Sequence, residues 1–208
     1  SLGITPEKYN TTCPFVEKVW NRGEAIGKKG YSLVIHGKPK HEETRATFSR
    51  SAAHSPAVIV NDMEDSISLG KYITGEKPAT GFYEEFKGRY SDGFDIERDL
   101  QRFGVINQTT QLATDTQAIA DYLKALVTEH YRLDEKATGE RFADTRDTLC
   151  YATNDNQTAV REMLNTEADL AMVVGLQGKM GEAEQILRRE LPPEQAEQSL
   201  QWLQARNS

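Results

Sequence analysis

Apolar residues in this chain fall into two kinds of pattern. Compact β-branched runs at residues 31–36 (Tyr-Ser-Leu-Val-Ile-His), 57–60 (Ala-Val-Ile-Val) and 103–107 (Phe-Gly-Val-Ile-Asn) predict buried strands, the first ended by Gly37. Between them the apolar positions recur at helical spacing. Phe15, Val16, Val19 and Trp20 share one face of a helix that Pro14 can open, because a missing N–H costs nothing in the first turn. Residues 44–47 enter a helix from a polar loop, and Asn61 or Asp62 caps the helix after the second strand. The clearest helix follows the third strand: Ile119, Tyr122, Leu123, Leu126, Val127 and Tyr131 form one stripe, with Thr114 and Gln117 spaced as a capping box. A polar loop comes next, and then a helix entered at residues 157–160.

Residues 74–99 break the alternation. They are rich in glycine and charge, with a short amphipathic piece at residues 82–86, and read as an inserted excursion. Its aromatic residues are expected to pack on one another, since the acidic residues around them would repel a phosphate backbone. Residues 169–175 are a further apolar run, readable as a strand or as a helix. Strands alternating with helices from Cys13 to Gly175 predict an α/β, layered αβα fold with a mostly parallel sheet. Residues 176–208 carry no strand signal; Pro192-Pro193 starts a helix there, and this tail weakly resembles the helix pairs of tetratricopeptide-type Tad pilus assembly proteins. The expected organisation is an α/β region over residues 1–175 and a short helical tail over residues 176–208.

Composition narrows the function classes. With 208 residues, 38% hydrophobic and 27% charged, the chain can bury a substantial core without disulfide staples. No apolar run approaches the roughly 20 residues of a membrane helix, so no membrane partner is expected. A formal charge of −7 argues against broad binding to nucleic acid or an anionic membrane surface, and any bound anion must be held by a local site. Only two cysteines are present and no secretion leader precedes them, which makes a reducing compartment the expectation, although one disulfide between them stays possible. Ser1-Leu2-Gly3 at the start suggests a processed or excerpted product. Oligomeric state has no signature in the sequence.

The chemistry-bearing residues follow the strands. Cys13 lies at the mouth of the first helix, where partial positive charge favours a thiolate; the bland alternative is a small residue near a turn. His41, Glu42 and Glu43 follow the first strand, offering imidazole and carboxylate for anion binding and proton transfer, or simply a solvated loop. Thr109 and Thr110 follow the third. Cys150 ends a short apolar run within residues 147–160 and is followed by small and amide-bearing residues. In a parallel sheet the carboxyl ends of the strands share one edge, so Cys13, His41, Glu43, Thr109 and Cys150 are expected to converge on one cleft.

Five segments in order carry a family resemblance: Thr-Thr-Cys13-Pro-Phe-Val-Glu-Lys-Val, His36-Gly-Lys-Pro-Lys-His41-Glu-Glu43-Thr, Asn107-Gln-Thr109-Thr110, Thr148-Leu-Cys150-Tyr-Ala-Thr and Val173-Val-Gly175. Together they resemble the LytB-type hydroxymethylbutenyl diphosphate reductases, in the wording of the cyanobacterial and plant branch, over about Pro6 to Gly175. The resemblance implies an iron–sulfur oxidoreductase of the non-mevalonate isoprenoid pathway that removes a hydroxyl reductively from an allylic diphosphate, giving isopentenyl and dimethylallyl diphosphate. It implies a 4Fe-4S cluster on three cysteines, of which Cys13 and Cys150 match two, with Glu43 the proton-delivering acid, Thr109 its partner at the substrate hydroxyl and His41 a holder of the diphosphate. A ferredoxin or flavodoxin electron donor and a cytoplasmic or plastid setting go with it. The family's first cysteine and another diphosphate-binding histidine lie upstream of the matched region, and Leu176-Gln177-Gly178 stands where the family has a Ser-Ser-Asn motif. The alternative is a non-catalytic α/β module joined to a helical-repeat tail.

Overall fold

The computed structural model describes residues 12–143, 151–164, 188–189 and 192–197. In chain order the elements are α1 (Pro14–Gly27), β1 (Ser32–His36), α2 (Glu42–Ala52), β2 (Ala57–Val60), α3 (Met63–Ile73), α4 (Ala79–Glu85), α5 (Ile96–Asp99), β3 (Phe103–Asn107), α6 (Ala113–His130), α7 (Glu135–Arg141), β4 (Phe142–Ala143) and α8 (Tyr151–Leu164). The chain divides into two compact units, Ser1–Leu149 and Cys150–Ser208.

In the first unit four parallel strands form one sheet in the order β2-β1-β3-β4. Every residue of β1, β2 and β3 is buried, as expected where helices cover both faces of a parallel sheet. Successive side chains alternate between the faces. Leu33, Ile35, Ala57, Ile59 and Ile106 meet Val19 and Ile26 of α1, whereas Val34, Val58, Val60 and Val105 meet Leu69 of α3 and Ile119, Leu123 and Val127 of α6. The result is the expected αβα layering.

Two connections leave β1 and β3 on opposite sides. The helix after β1, α2, packs with α1 on one face; the helix after β3, α6, packs with α3 on the other. Neighbouring parallel strands whose connections diverge in this way leave a crevice beyond their carboxyl ends, the topological switch point of an open α/β sheet.

The excursion at residues 74–99 has a structural role. Phe82 stacks on Phe86 and Phe94 with ring centroids 5.0 and 5.5 Å apart, and Tyr72, Tyr83 and Tyr90 close around them, the local aromatic packing expected from the sequence. The same segment covers the outer edge of β2. Ile59 donates its N–H to Arg89 O at 2.7 Å and Ser91 donates to Ala57 O at 2.9 Å, so a strand edge that would otherwise template foreign pairing is closed.

Three sequence expectations are corrected. α6 carries no capping box: its N-cap is Leu112, and Thr114 instead bonds Asp115 while Gln117 bonds Asp121. Burial of Leu112 fixes the entry two residues earlier than the hydroxyl pattern suggested, and Thr116 Oγ1 turns back to Leu112 O. The polar loop expected after α6 contains α7, capped by Asp134, and β4, whose Phe142 packs edge-on to Phe103 at 5.4 Å. One buried aromatic was enough to add a two-residue strand that no alternation pattern announces.

In the second unit α8 begins at Tyr151, so the amide-bearing stretch before residue 157 is helical rather than a loop entering a helix. Helical backbone also covers residues 193–197, where Ala196 N–H bonds Pro192 O at 3.0 Å, in line with a helix opened by Pro193. The apolar run at residues 169–175 lies outside the described residues. Among the described residues no helix is long and apolar enough to cross a membrane.

Candidate functional site

The crevice at the switch point is built from the loops after β1 and β3. His41 is the N-cap of α2, and its Nδ1 accepts the N–H of Glu43 at 3.2 Å. An Nδ1 that accepts carries no proton, so in this arrangement the ring proton sits on Nε2. Glu42 and Glu43 occupy the first turn of α2, where the helix dipole favours negative charge. From the other loop, Thr109 donates its backbone N–H to Glu43 Oε1 at 2.5 Å. Thr109 is buried and Glu43 partly so. Three of the residues singled out in the sequence, His41, Glu43 and Thr109, therefore form one continuous hydrogen-bonded group.

Gln108 holds these loops together. Its Oε1 accepts from Lys38 N at 3.1 Å, Thr44 Oγ1 at 2.8 Å and Gln111 Nε2 at 3.2 Å, and its Nε2 donates to Thr110 Oγ1 at 2.6 Å. Because Lys38 N–H can only donate, the atom facing it is the amide oxygen, which settles the amide's orientation. Gln108 N also donates to His36 O at 2.8 Å. Gly37 leaves room for this arrangement: a Cβ there would stand 2.6 Å from Thr44 Oγ1 and 2.9 Å from Gln108 Cβ. Sequence reasoning passed over Gln108 because an amide after a strand looks like any loop residue; its signal was the position, directly between the strand end and Thr109.

His36, at the carboxyl end of β1, is 2% exposed and lies beneath this group. Its Nδ1 hydrogen-bonds Thr116 Oγ1 at 2.8 Å, and Thr116 Oγ1 also reaches Leu112 O at 3.3 Å, which ties the end of β1 to the first turn of α6. Burial pushes its pKa below the usual imidazole value, opposed by the carboxylates of Asp115 and Asp62. A neutral histidine thus braces the start of α6 from below.

Cys13 is placed as expected. It is the N-cap of α1, with Pro14 in the first helical position, and it is an exposed free thiol. The turn at residues 28–30 returns the chain from α1 to the amino end of β1, so the Cys13 end of α1 lies toward the carboxyl edge. Cys150 lies outside the described residues, and its expected convergence with Cys13 has no counterpart in the described geometry. A lone thiol fits as one ligand of an iron–sulfur cluster. Among the described residues no group of three potential metal ligands occurs.

What the group can do chemically follows from its bonds. The Glu43 carboxyl is fixed at Oε1 by Thr109 N–H, which leaves Oε2 to carry or receive a proton, and His41 Nε2–H is a donor suited to an oxyanion.

Comparison with known proteins bears on the family of the chain. The family model for LytB protein matches residues 4–180. The 4-hydroxy-3-methylbut-2-enyl diphosphate reductase of Picosynechococcus sp. is 36% identical over 166 residues, covering 80% of this chain and 40% of that protein. The enzyme of the same name from Crocosphaera subtropica is 37% identical over 166 residues, with the same coverage. The chain spans about two fifths of the length of these curated relatives. Among solved structures, the E-1-hydroxy-2-methyl-but-2-enyl-4-diphosphate reductase from Plasmodium falciparum aligns at 19% identity and a TM-score of 0.47, over 74% of this chain and 36% of that one. The chain belongs to the LytB family.

Proposed function

We propose that this chain supplies the proton-delivering side, and two of the cluster-ligating cysteines, of a LytB-type reductase that removes the hydroxyl of hydroxymethylbutenyl diphosphate. The observation that supports the reading best is the Glu43–Thr109 bond across the switch point, because it places a carboxyl group where two family segments meet.

Hydroxide is a poor leaving group, and an acid positioned at the allylic oxygen lets it depart as water. Glu43 Oε2 carries that proton while Oε1 stays bonded to Thr109 N–H, so the carboxyl need not swing during transfer. The Thr109 hydroxyl orients the substrate hydroxyl toward it. His41 Nε2–H donates to a diphosphate oxygen, and its Nδ1 bond to Glu43 N couples the anion-holding ring to the acid's own backbone. Gln108 keeps both loops at this spacing, and the buried neutral His36 keeps the base of α6 from shifting.

Cys13 and Cys150 are assigned as two thiolate ligands of a 4Fe-4S cluster, with a third thiolate from sequence beyond this chain; the cluster supplies the electrons and a Lewis-acidic iron. The α/β region to about Gly175 carries this role, and residues 176–208 stand outside it. A ferredoxin or flavodoxin donor and a cytoplasmic or plastid location belong to the same reading.

The test is anaerobic reconstitution with iron and sulfide, with the upstream family segment supplied on a second chain. A brown, visible-absorbing cluster that Cys13→Ser or Cys150→Ser abolishes is expected. Absence of the chromophore with all three cysteines present overturns the reading.

A further inference from the structure

At the opposite, amino edge of the sheet lies a cavity of about 310 Å³. Its walls come from the turn after α1 (Gly27, Gly30), the start of β1 (Tyr31, Ser32), the approach to β2 (His54, Ser55) and the segment before β3 (Arg98, Arg102). Four steps along β1 separate Ser32 from His36, so this cavity is on the order of 13 Å from the crevice.

The charge inside it is unlike that of the whole chain. Asp99 is the one lining carboxylate among the described residues, and it is already neutralised: Arg98 Nε reaches Oδ1 at 2.6 Å, while Arg98 Nη2 and the Asp95 N–H reach Oδ2 at 2.9 and 2.8 Å. Arg102 has no carboxylate partner among the described residues. Its guanidinium lies over the Tyr31 ring at 4.4 Å and its Nε donates to Glu140 O at 3.0 Å, which fixes its plane while its terminal nitrogens make no hydrogen bond to a described residue. Nη1 lies beside Gly30, 3.7 Å from where a Cβ would stand. In the same wall the Ser55 hydroxyl is buried without a hydrogen-bond partner.

A guanidinium held flat by stacking, with its fork unspent, is pre-organised for a planar or tetrahedral oxyanion and loses little freedom on binding. Arg98 and Arg102 against the single carboxylate of Asp99 leave the walls net positive, and the cavity of about 310 Å³ exceeds the size of a bare ion. We propose that the amino edge of the sheet is a second anion site, separate from the reductase crevice, that takes a small phosphomonoester with Arg102 as its principal contact.

Titration of the 208-residue chain with inorganic phosphate, followed by ¹H–¹⁵N correlation spectra against sodium chloride at matched ionic strength, tests this without iron or substrate. Saturable shifts at the Gly30, Tyr31, Ser32 and Arg102 amides are expected, with glycerol phosphate binding at least as tightly as phosphate. Arg102→Gln is expected to raise the half-saturation concentration at least tenfold, and Arg102→Lys, which keeps the charge but not the fork, to raise it less. Tyr31→Phe retains the stacking ring and is expected to leave binding nearly unchanged. Shifts that do not saturate, or that survive Arg102→Gln in a folded variant, identify an adventitious ion only and overturn the proposal.

Discussion

Glu43 and Thr109 are far apart in the chain, yet the Thr109 N–H meets Glu43 Oε1 at 2.5 Å. The bond spans the two loops that leave β1 and β3 toward opposite faces of the sheet, so it reports directly on whether the crevice is assembled. In Thr109→Pro the N–H is removed and the carboxyl loses its anchor. If the proposed role holds, kcat of the reconstituted enzyme falls at least tenfold in Glu43→Gln, whereas cluster absorbance is unchanged.

Gly37→Ala probes the spacing of the same loops. The added methyl meets Thr44 Oγ1 and Gln108 Cβ, both closer than a Cβ contact allows. Overpacking of this kind costs about 1–3 kcal/mol. A lower urea midpoint with unchanged slope is expected, together with faster hydrogen exchange at the Thr109 amide.

Gln108→Leu keeps the bulk and removes the acceptor. Lys38 N–H and the Thr44 hydroxyl then lose a buried partner, at about 1–3 kcal/mol. Denaturant unfolding of the variant measures the loss. A variant as stable as the parent would show that the hub is dispensable.

His36 makes stability depend on pH near neutrality. Its folded pKa lies below the unfolded value of about 6.5 because the ring is buried, so between those two values the unfolded chain binds more protons than the folded one. Stability is therefore full above about pH 6.5 and falls as the pH drops below it. Urea midpoints at pH 7.5 and 5.5 are expected to differ more for the parent than for His36→Asn.

Glu85 acts in a lower window. Lys77, Ser68 and Tyr72 all donate to its carboxylate and hold its pKa at about 2, below the ordinary carboxylate value of 4.5. Burial, with Glu85 beside it, pushes the Tyr72 hydroxyl up to about 12. The depressed carboxylate contributes stability above its unfolded pKa, and that contribution is lost as pH falls through 4.5 toward 2. Since the side chain is 37% exposed, solvent screening limits the effect to about 1 kcal/mol. Glu85→Gln is expected to flatten the acid limb of the stability curve and to lower the plateau near pH 6 by about 1 kcal/mol.

Local pattern alone determined the strands at residues 57–60 and 103–107, the α1 start at Pro14, a cap at Asn61 or Asp62 that the structure gives to Asp62, and the buried stripe of α6, because each rests on neighbours within a few residues. The order of the family motifs likewise singled out His41, Glu43 and Thr109 before any geometry was known. What tertiary structure decided is where distant segments meet. β4 exists because Phe142 finds Phe103, the β2 edge is closed because the aromatic cluster delivers Arg89 and Ser91 to it, and Gln108 becomes a hub only when the loop after β1 folds over it. The capping-box spacing at Thr114 and Gln117 shows the reverse case, a sound local signal outweighed by the burial of Leu112. Hydrogen bonds between sequence-remote groups and the burial of single side chains have no period along the chain, so the fold has to form before they can be seen.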